Sequence, residues 1–190
     1  MRIEILVEEP SMKNCLEILL PKILPEDLVL NQQVFIRPHQ GKQDLQRSIP
    51  QKARAFSYYH EPVLLVVLHD QDSHDCRNLK SILVEKCEEG SSPYLVRIVC
   101  LELEAWYVGD MDAVEQAYPS FKASKHRGKA KFRNPDACNA ADELGKIIKA
   151  FQKGQASRTI PKYMDVENNQ SESFRQFRSG LIREIDRIRG

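Results

Sequence analysis

No two cysteines in this 190-residue chain are spaced C-x-x-C, and the five present (Cys15, Cys76, Cys87, Cys100 and Cys138) are odd in number. That argues against a disulfide framework. His39, His60, His69 and His74 stand at no metal-ligand spacing from any cysteine, which argues against zinc. Cys15, Cys87 and Cys100 lie in apolar segments and read as reduced, buried small residues of a cytoplasmic protein. Long hydrophobic runs are also missing. The longest, Val63 to Leu68, is far too short to span a bilayer, so no membrane role is expected. The opening M-R-I-E-I-L-V-E-E alternates polar and apolar residues and carries acids, so it reads as a strand rather than a signal peptide. There is no charge excess. With 28 basic and 27 acidic residues the net charge is +1, and any affinity for nucleic acid must come from local patches. Internal repeats and low-complexity tracts are absent. Gly41-Lys42 resembles the end of a phosphate-binding loop, but the upstream glycine is missing, which excludes ATP binding there.

What is present suffices for a core, with 42% hydrophobic and 29% charged residues. Arg2 to Val7 reads as a strand. A helix opens at Pro10-Ser11, carries Cys15, Leu16, Leu19, Leu20 and Ile23 at helical spacing, and stops at Pro25. Gln33 to Arg37 reads as a second strand and Gln43 to Phe56 as a polar helix, with Pro50 marking a break or a fresh first turn. Val63 to Leu68 has the composition of a strand covered on both faces. Asp75 to Cys87 is helical, and Tyr94 to Leu101 is a fourth strand. The β-α-β-α-β-α-β order implies an α/β fold with a parallel sheet and helices on both faces. Beyond it, Glu102 to Val108, Met111 to Tyr118, Ala140 to Phe151 and Glu172 to Ile188 read as helices, and Phe121 to Asn134 as a basic loop. We expect one domain over residues 1–190, with a βα core at 1–110 and a helical and loop extension at 111–190 packed on it.

In such sheets ligands gather at the carboxyl ends of the strands. Val7-Glu8-Glu9 ends the first strand and His69-Asp70-Gln71-Asp72 the third, so both acidic clusters share one edge. Carboxylates held close together at a low-dielectric edge repel one another unless a cation neutralises them. Mg²⁺ takes one or two carboxylates and completes its shell with water and phosphate oxygens. Asp70 and Asp72 share a face if the strand continues through both. Asp75 is read as a helix cap instead, and Asp110 as the cap of the segment from Met111. D-x-D also serves sugar transferases, haloacid-dehalogenase-type phosphatases and receiver domains, but none of these accounts for Val7-Glu8 at the first strand end as well.

V-E-E-P-S at Val7 to Ser11, a leucine-rich helix and the later D-x-D resemble the Toprim domain of topoisomerases, primases, recombination proteins and overcoming-lysogenization-defect nucleases. A closer resemblance, over nearly the whole chain, is to the bacterial, Toprim-like domain-of-unknown-function family 4276. It rests on V-E-x-P-S, H-x-G-K at His39 to Lys42, D-x-D-x-x-D-C at Asp70 to Cys76, R-I-x-C-x-E-L-E-A-W at Arg97 to Trp106, Gly109-Asp110, and S-x-S-F-x-x-F at Ser171 to Phe177. The resemblance implies that Glu8, Asp70 and Asp72 bind Mg²⁺ (or Mn²⁺) and act in phosphodiester hydrolysis of DNA or RNA. Glu9 stands where Toprim domains carry glycine. Either the position needs a positive φ, which glutamate resists, or Glu9 is an extra ligand.

Glu104, inside L-E-A-W, is the candidate for a fourth catalytic acid, and Trp106 reads as core. Lys42 is either a phosphate contact or a solvated lysine. The run with Lys125, Arg127, Lys129 and Lys131 is either a solvated loop or a nucleic-acid contact, with Phe132 or His126 adding stacking. His69 and His74 flank the acids and could assist proton transfer. The apolar stripe Phe174, Phe177, Leu181, Ile185 and Ile188 packs the last helix on the domain. The expected function is a metal-dependent nuclease. Analogy with family relatives adds an AAA- or ABC-type ATPase partner in phage defence. The alternative is a non-catalytic adaptor subunit of such an ATPase. Topoisomerase-type strand passage is not expected, because the chain has no room for a domain supplying a tyrosine nucleophile.

Overall fold

Period-two alternation on the strands sorts the side chains into two cores. In the computed structural model, which describes residues 1–190, the first strand is β1 (Arg2–Val7). It is followed by α1 (Pro10–Ile23), β2 (Val34–Pro38), α2 (Lys42–Phe56), β3 (Val63–Asp70), α3 (Cys76–Cys87) and β4 (Tyr94–Val99). Ile3, Ile5 and Val7 of β1 and Leu64, Val66 and Leu68 of β3 face the larger core, with α1. Leu6 of β1 and Val63, Leu65 and Val67 of β3 face a smaller core under α2 and α3. Helices therefore cover both faces, as the near-continuous apolar run of β3 requires. Glu4, fully buried on β1, is held by Arg2 Nε at 2.7 Å and Arg37 Nε at 3.0 Å. A charge taken that far from water needs such partners.

The four strands are all parallel, in the order β2-β1-β3-β4. The chain leaves β1 toward β2 on one side and returns to β3 on the other. The crossovers on either side of the β1–β3 pair thus run over opposite faces of the sheet, α1 over one and α2 and α3 over the other. In open α/β sheets such a reversal is where ligands bind, outside the carboxyl ends of the two strands. Glu8 follows β1 and Asp70 ends β3, so the topology itself puts them there.

Six further helices complete the chain: α4 (Glu104–Val108), α5 (Met111–Ala117), α6 (Ala123–His126), α7 (Ala140–Ile147), α8 (Lys153–Thr159) and α9 (Glu172–Arg189). The larger core runs without interruption from Ile3 to Ile185 and so includes them. Trp106 of α4 is fully buried between Phe174 and Phe177 of α9, with ring centroids at 5.1 and 5.4 Å. Its indole N–H donates to Ser173 Oγ at 3.0 Å. No helix is long and apolar enough to cross a membrane.

Several expectations need correction. Pro50 does not interrupt α2, because Leu45, Ile49, Ala53 and Phe56 keep one buried stripe through it. That packing outweighs the roughly 3 kcal/mol a mid-helix proline costs. β3 runs two residues past the apolar stretch, since His69 and Asp70 still pair with Ile98 and Val99. The helix from Ala140 ends at Ile147. Ile148 turns extended (φ −104°, ψ 99°), which seats its side chain in the core and lets α8 begin at Lys153. The basic segment is not a plain loop: it holds α6 and a 3-10 turn at Ala130–Phe132. Cys15 and Cys87 are buried as expected, but Cys100 is only half-buried, and all five cysteines are free.

Candidate metal centre

Glu8 is presented by backbone contacts that the H-x-G-K turn supplies. His39 Nδ1 lies 2.9 Å from the Val7 carbonyl, and since a carbonyl only accepts, that nitrogen carries a proton. Ser48 Oγ lies 2.7 Å from the other ring nitrogen. The Gly41 N–H donates to the Glu8 carbonyl at 3.0 Å. Gly41 has φ 93°, a left-handed conformation that explains glycine at this position. Glu9, by contrast, is extended at φ −147°, so a glutamate there meets no strain. Its carboxylate accepts from the Ser11 hydroxyl.

Asp70 follows Leu68 by two residues on β3 and therefore faces the larger-core side, toward α1 and α4. Its Oδ1 is shielded from solvent and has no hydrogen-bond partner, and the same holds for Glu8 Oε2. His69 does not satisfy Glu8. Its Nδ1 approaches Glu8 Oε2 to 3.3 Å but donates to the Asp70 carbonyl at 2.6 Å. The other ring nitrogen accepts from the Gln46 amide at 2.9 Å. Burial holds His69 below its usual pKa, which fits this neutral tautomer.

Two orphaned carboxylate oxygens on adjacent strands leave their mark on protonation. Burial raises the Asp70 carboxyl well above its ordinary range, and repulsion from Glu8 and Glu104 adds to it. Burial and the charge of Asp72 raise Glu8. Glu104, buried at the first turn of α4, is pushed up to about 7 by burial; Lys153 opposes the rise and Glu102 adds to it. Glu8, Asp70 and Glu104 thus form one electrostatically coupled group.

Asp72 sits differently from the expectation. Its backbone is left-handed at φ 51°, so the alternation that would align it with Asp70 has ended. The Asp72 N–H is tied to the Leu101 carbonyl at 3.0 Å, and Leu101 is itself left-handed at φ 56°. The exposed Asp72 carboxylate pairs with Lys42 Nζ at 3.0 Å, at the start of α2. The D-x-D therefore divides, with Asp70 toward the α1 side and Asp72 toward α2. Asp75 caps α3 by accepting from Asn78 N at 2.9 Å, and Asp110 caps α5 from Ala113 N at 3.0 Å, both as read from the sequence.

The residues of the basic run pair with none of these acids. Arg127 pairs with Asp112 at 2.6 Å and Lys131 pairs with Glu143, while Lys125 and Lys129 are exposed without carboxylate partners. Phe132 is buried, and His126 stacks on Phe121 at 4.8 Å, so neither ring is free to stack on a base. One cation at the edge escaped the sequence. Lys153 Nζ lies 2.6 Å from Glu102 and 3.5 Å from Glu104. Its only sequence signal was its position after the misjudged end of the Ala140 helix.

Hard oxygen donors, two of them unpartnered, suit Mg²⁺ or Mn²⁺ held by few protein ligands and completed by water and substrate. No group of three His, Cys, Asp or Glu side chains stands ready as a complete ligand set. Glu8 and Asp70 are thus the residues that fit, with Glu104 and Asp72 beside them. No curated protein and no solved structure matches the chain. The family described as Domain of unknown function (DUF4276) matches residues 7–182. With nearly the whole chain covered, this protein belongs to the DUF4276 family.

Proposed function

We propose that the protein is a Mg²⁺- or Mn²⁺-dependent nuclease that hydrolyses phosphodiester bonds of DNA or RNA at a Toprim-like sheet edge. The observation that carries this reading is the pair of shielded, unpartnered oxygens, Glu8 Oε2 and Asp70 Oδ1, at the switch point of a parallel sheet. Leaving such atoms unpaired costs about 1–3 kcal/mol each, and more when charged, and a bound cation removes that cost. Similarity of Val7-Glu8 and Asp70-x-Asp72 to Toprim motifs supports the same assignment. Glu8 and Asp70 would hold the cation, which would supply charge neutralisation at the phosphate. Glu104, with a carboxyl near 7, exchanges a proton close to neutrality, the property of a general base. Lys42, paired with Asp72 beside this edge, would offer its ammonium to a phosphate oxygen. The proposed partner is an AAA- or ABC-type ATPase encoded nearby, in a phage-defence setting.

The test is incubation of plasmid DNA and of tRNA with the protein, alone and with that ATPase, in Mg²⁺, Mn²⁺ or EDTA. Cutting is expected with metal and lost in Asp70→Ala. Mn²⁺ at 100 times its Kd should add about 2.7 kcal/mol of stability, roughly 5–10 °C in Tm, and Asp70→Ala should abolish the shift. If neither nucleic acid is cut with the ATPase present, or Asp70→Ala cuts normally, the nuclease reading fails. ATPase binding that survives Asp70→Ala without any cutting would mark an adaptor.

A further inference from the structure

At the far end of α4 from Glu104, a cavity of about 590 Å³ opens against α5, α9 and the Arg127–Pro135 and Tyr163–Gln170 segments. That volume is ordinary for a small-molecule site. Met111, Phe132 and Pro135 line it but are themselves buried, and Tyr163, 45% exposed, offers the open ring. Arg127, Arg133 and Arg175 also line it.

Asp110 and Asp165, two of the three carboxylates lining this cavity, already have donors on both oxygens, while exposed Asp112 keeps Oδ2 free. Asp110 Oδ1 takes the Ala113 N–H at 3.0 Å and Oδ2 the Asp165 N–H at 2.7 Å. Asp165 takes the N–H groups of Glu167 and Asn168 at 2.8 and 3.2 Å and the Asn168 amide at 2.8 Å. Asp112 takes Arg127 Nη2 on Oδ1 alone. Donors, by contrast, are left over. Arg133 is exposed and its side chain enters no ion pair or hydrogen bond. Arg175 spends Nε and Nη2 on Glu172 and keeps Nη1, and Arg127 spends only Nη2. The unused guanidinium fork of Arg133 and the free Nη1 of Arg175, beside an exposed tyrosine, match a ligand that is anionic at one end and flat at the other.

We infer that this cavity binds a nucleoside monophosphate, either free or as the phosphorylated terminal nucleotide of a strand. The phosphate meets Arg133 and Arg175, and the base lies against the exposed ring of Tyr163. This site is separate from the acidic edge and does not require the nuclease reading.

The test is titration calorimetry of the full chain in EDTA. The probes are adenosine 5′-monophosphate, adenosine, inorganic phosphate, and tetranucleotides with and without a 5′-phosphate. The monophosphate or the phosphorylated tetranucleotide should bind, and the tighter of the two identifies the source. Adenosine and inorganic phosphate should each bind about tenfold more weakly or worse, since each lacks half of the contacts. Arg133→Ala, which removes no internal contact, should weaken binding at least about tenfold, the effect of losing a charge-assisted pair. Tyr163→Ala should weaken the monophosphate but not inorganic phosphate. Asp70→Ala should leave binding unchanged, which separates this inference from the metal centre. No binding by either phosphorylated nucleotide probe at millimolar concentration would overturn it. So would inorganic phosphate binding as tightly as the nucleotide, or Arg133→Ala binding normally.

Discussion

Glu104→Gln should make the protein more stable at alkaline pH while leaving it nearly unchanged in acid. The wild-type carboxyl is pushed from 4.5 to about 7 in the folded chain, mainly by burial. The folded state therefore binds this proton more tightly than the unfolded state. Its stabilising effect is complete below about pH 4.5 and is lost as pH rises through 7, after which the ionised, buried carboxylate burdens the fold. At 1.36 kcal/mol per pKa unit, the difference between variant and wild type should grow by about 2–3 kcal/mol between pH 5 and pH 8. For a chain of this size that is roughly 5–10 °C in Tm. Glutamine keeps the shape, and Lys153 retains Glu102 at 2.6 Å, so the substitution leaves no cation stranded. Thermal melts of both proteins in EDTA at pH 5, 6, 7 and 8 give the difference, because groups that do not sense the Glu104 charge cancel and the release of Asp70 from that charge is part of the same effect. An offset that does not change with pH would refute the burial argument. A variant less stable than wild type at pH 8 would show that attraction to Lys153, 3.5 Å away, outweighs desolvation.

Two further substitutions probe the packing that carries the site, and a third serves as a control. Gly109→Ala would place a Cβ 2.1 Å from Asn169 Oδ1 and 2.7 Å from Ser171 N. Buried Asn169 bridges the Trp106 carbonyl and the Ser171 N–H, so a loss of about 3 kcal/mol or more is expected in urea unfolding. Gly145→Ala, with open space around its Cβ, should instead gain about 0.5–1 kcal/mol as the helix control. Trp106→Phe removes the bond to Ser173 and the indole volume between Phe174 and Phe177, at about 2 kcal/mol by the same assay.

The elements that could be read in advance are those set by local rules. Helices α1 and α9 show their period over their whole length, β1 alternates as far as Ile5, and Asp75 and Asp110 cap the helices that begin one residue later, because a cap depends only on the next three residues. Pro50 was misread because its local cost is outweighed by a stripe packed on the sheet. The end of the Ala140 helix was misread because Ile148 follows the core rather than the helical period. The basic run looked like a free cationic surface, yet Arg127, Lys131 and Phe132 are partly or wholly engaged by groups distant in sequence.

The sequence by itself determined that acids end the first and third strands of a parallel sheet, since strand order and composition are written along the chain. Only the tertiary structure decided what those acids face. A left-handed turn at Asp72 sends it to Lys42, the α1 side shields Asp70, and chain folding far downstream brings Glu104 and Lys153 to the same edge. Burial and the distances between charges depend on residues far apart in the chain, and these set which carboxylate oxygens are left without a partner.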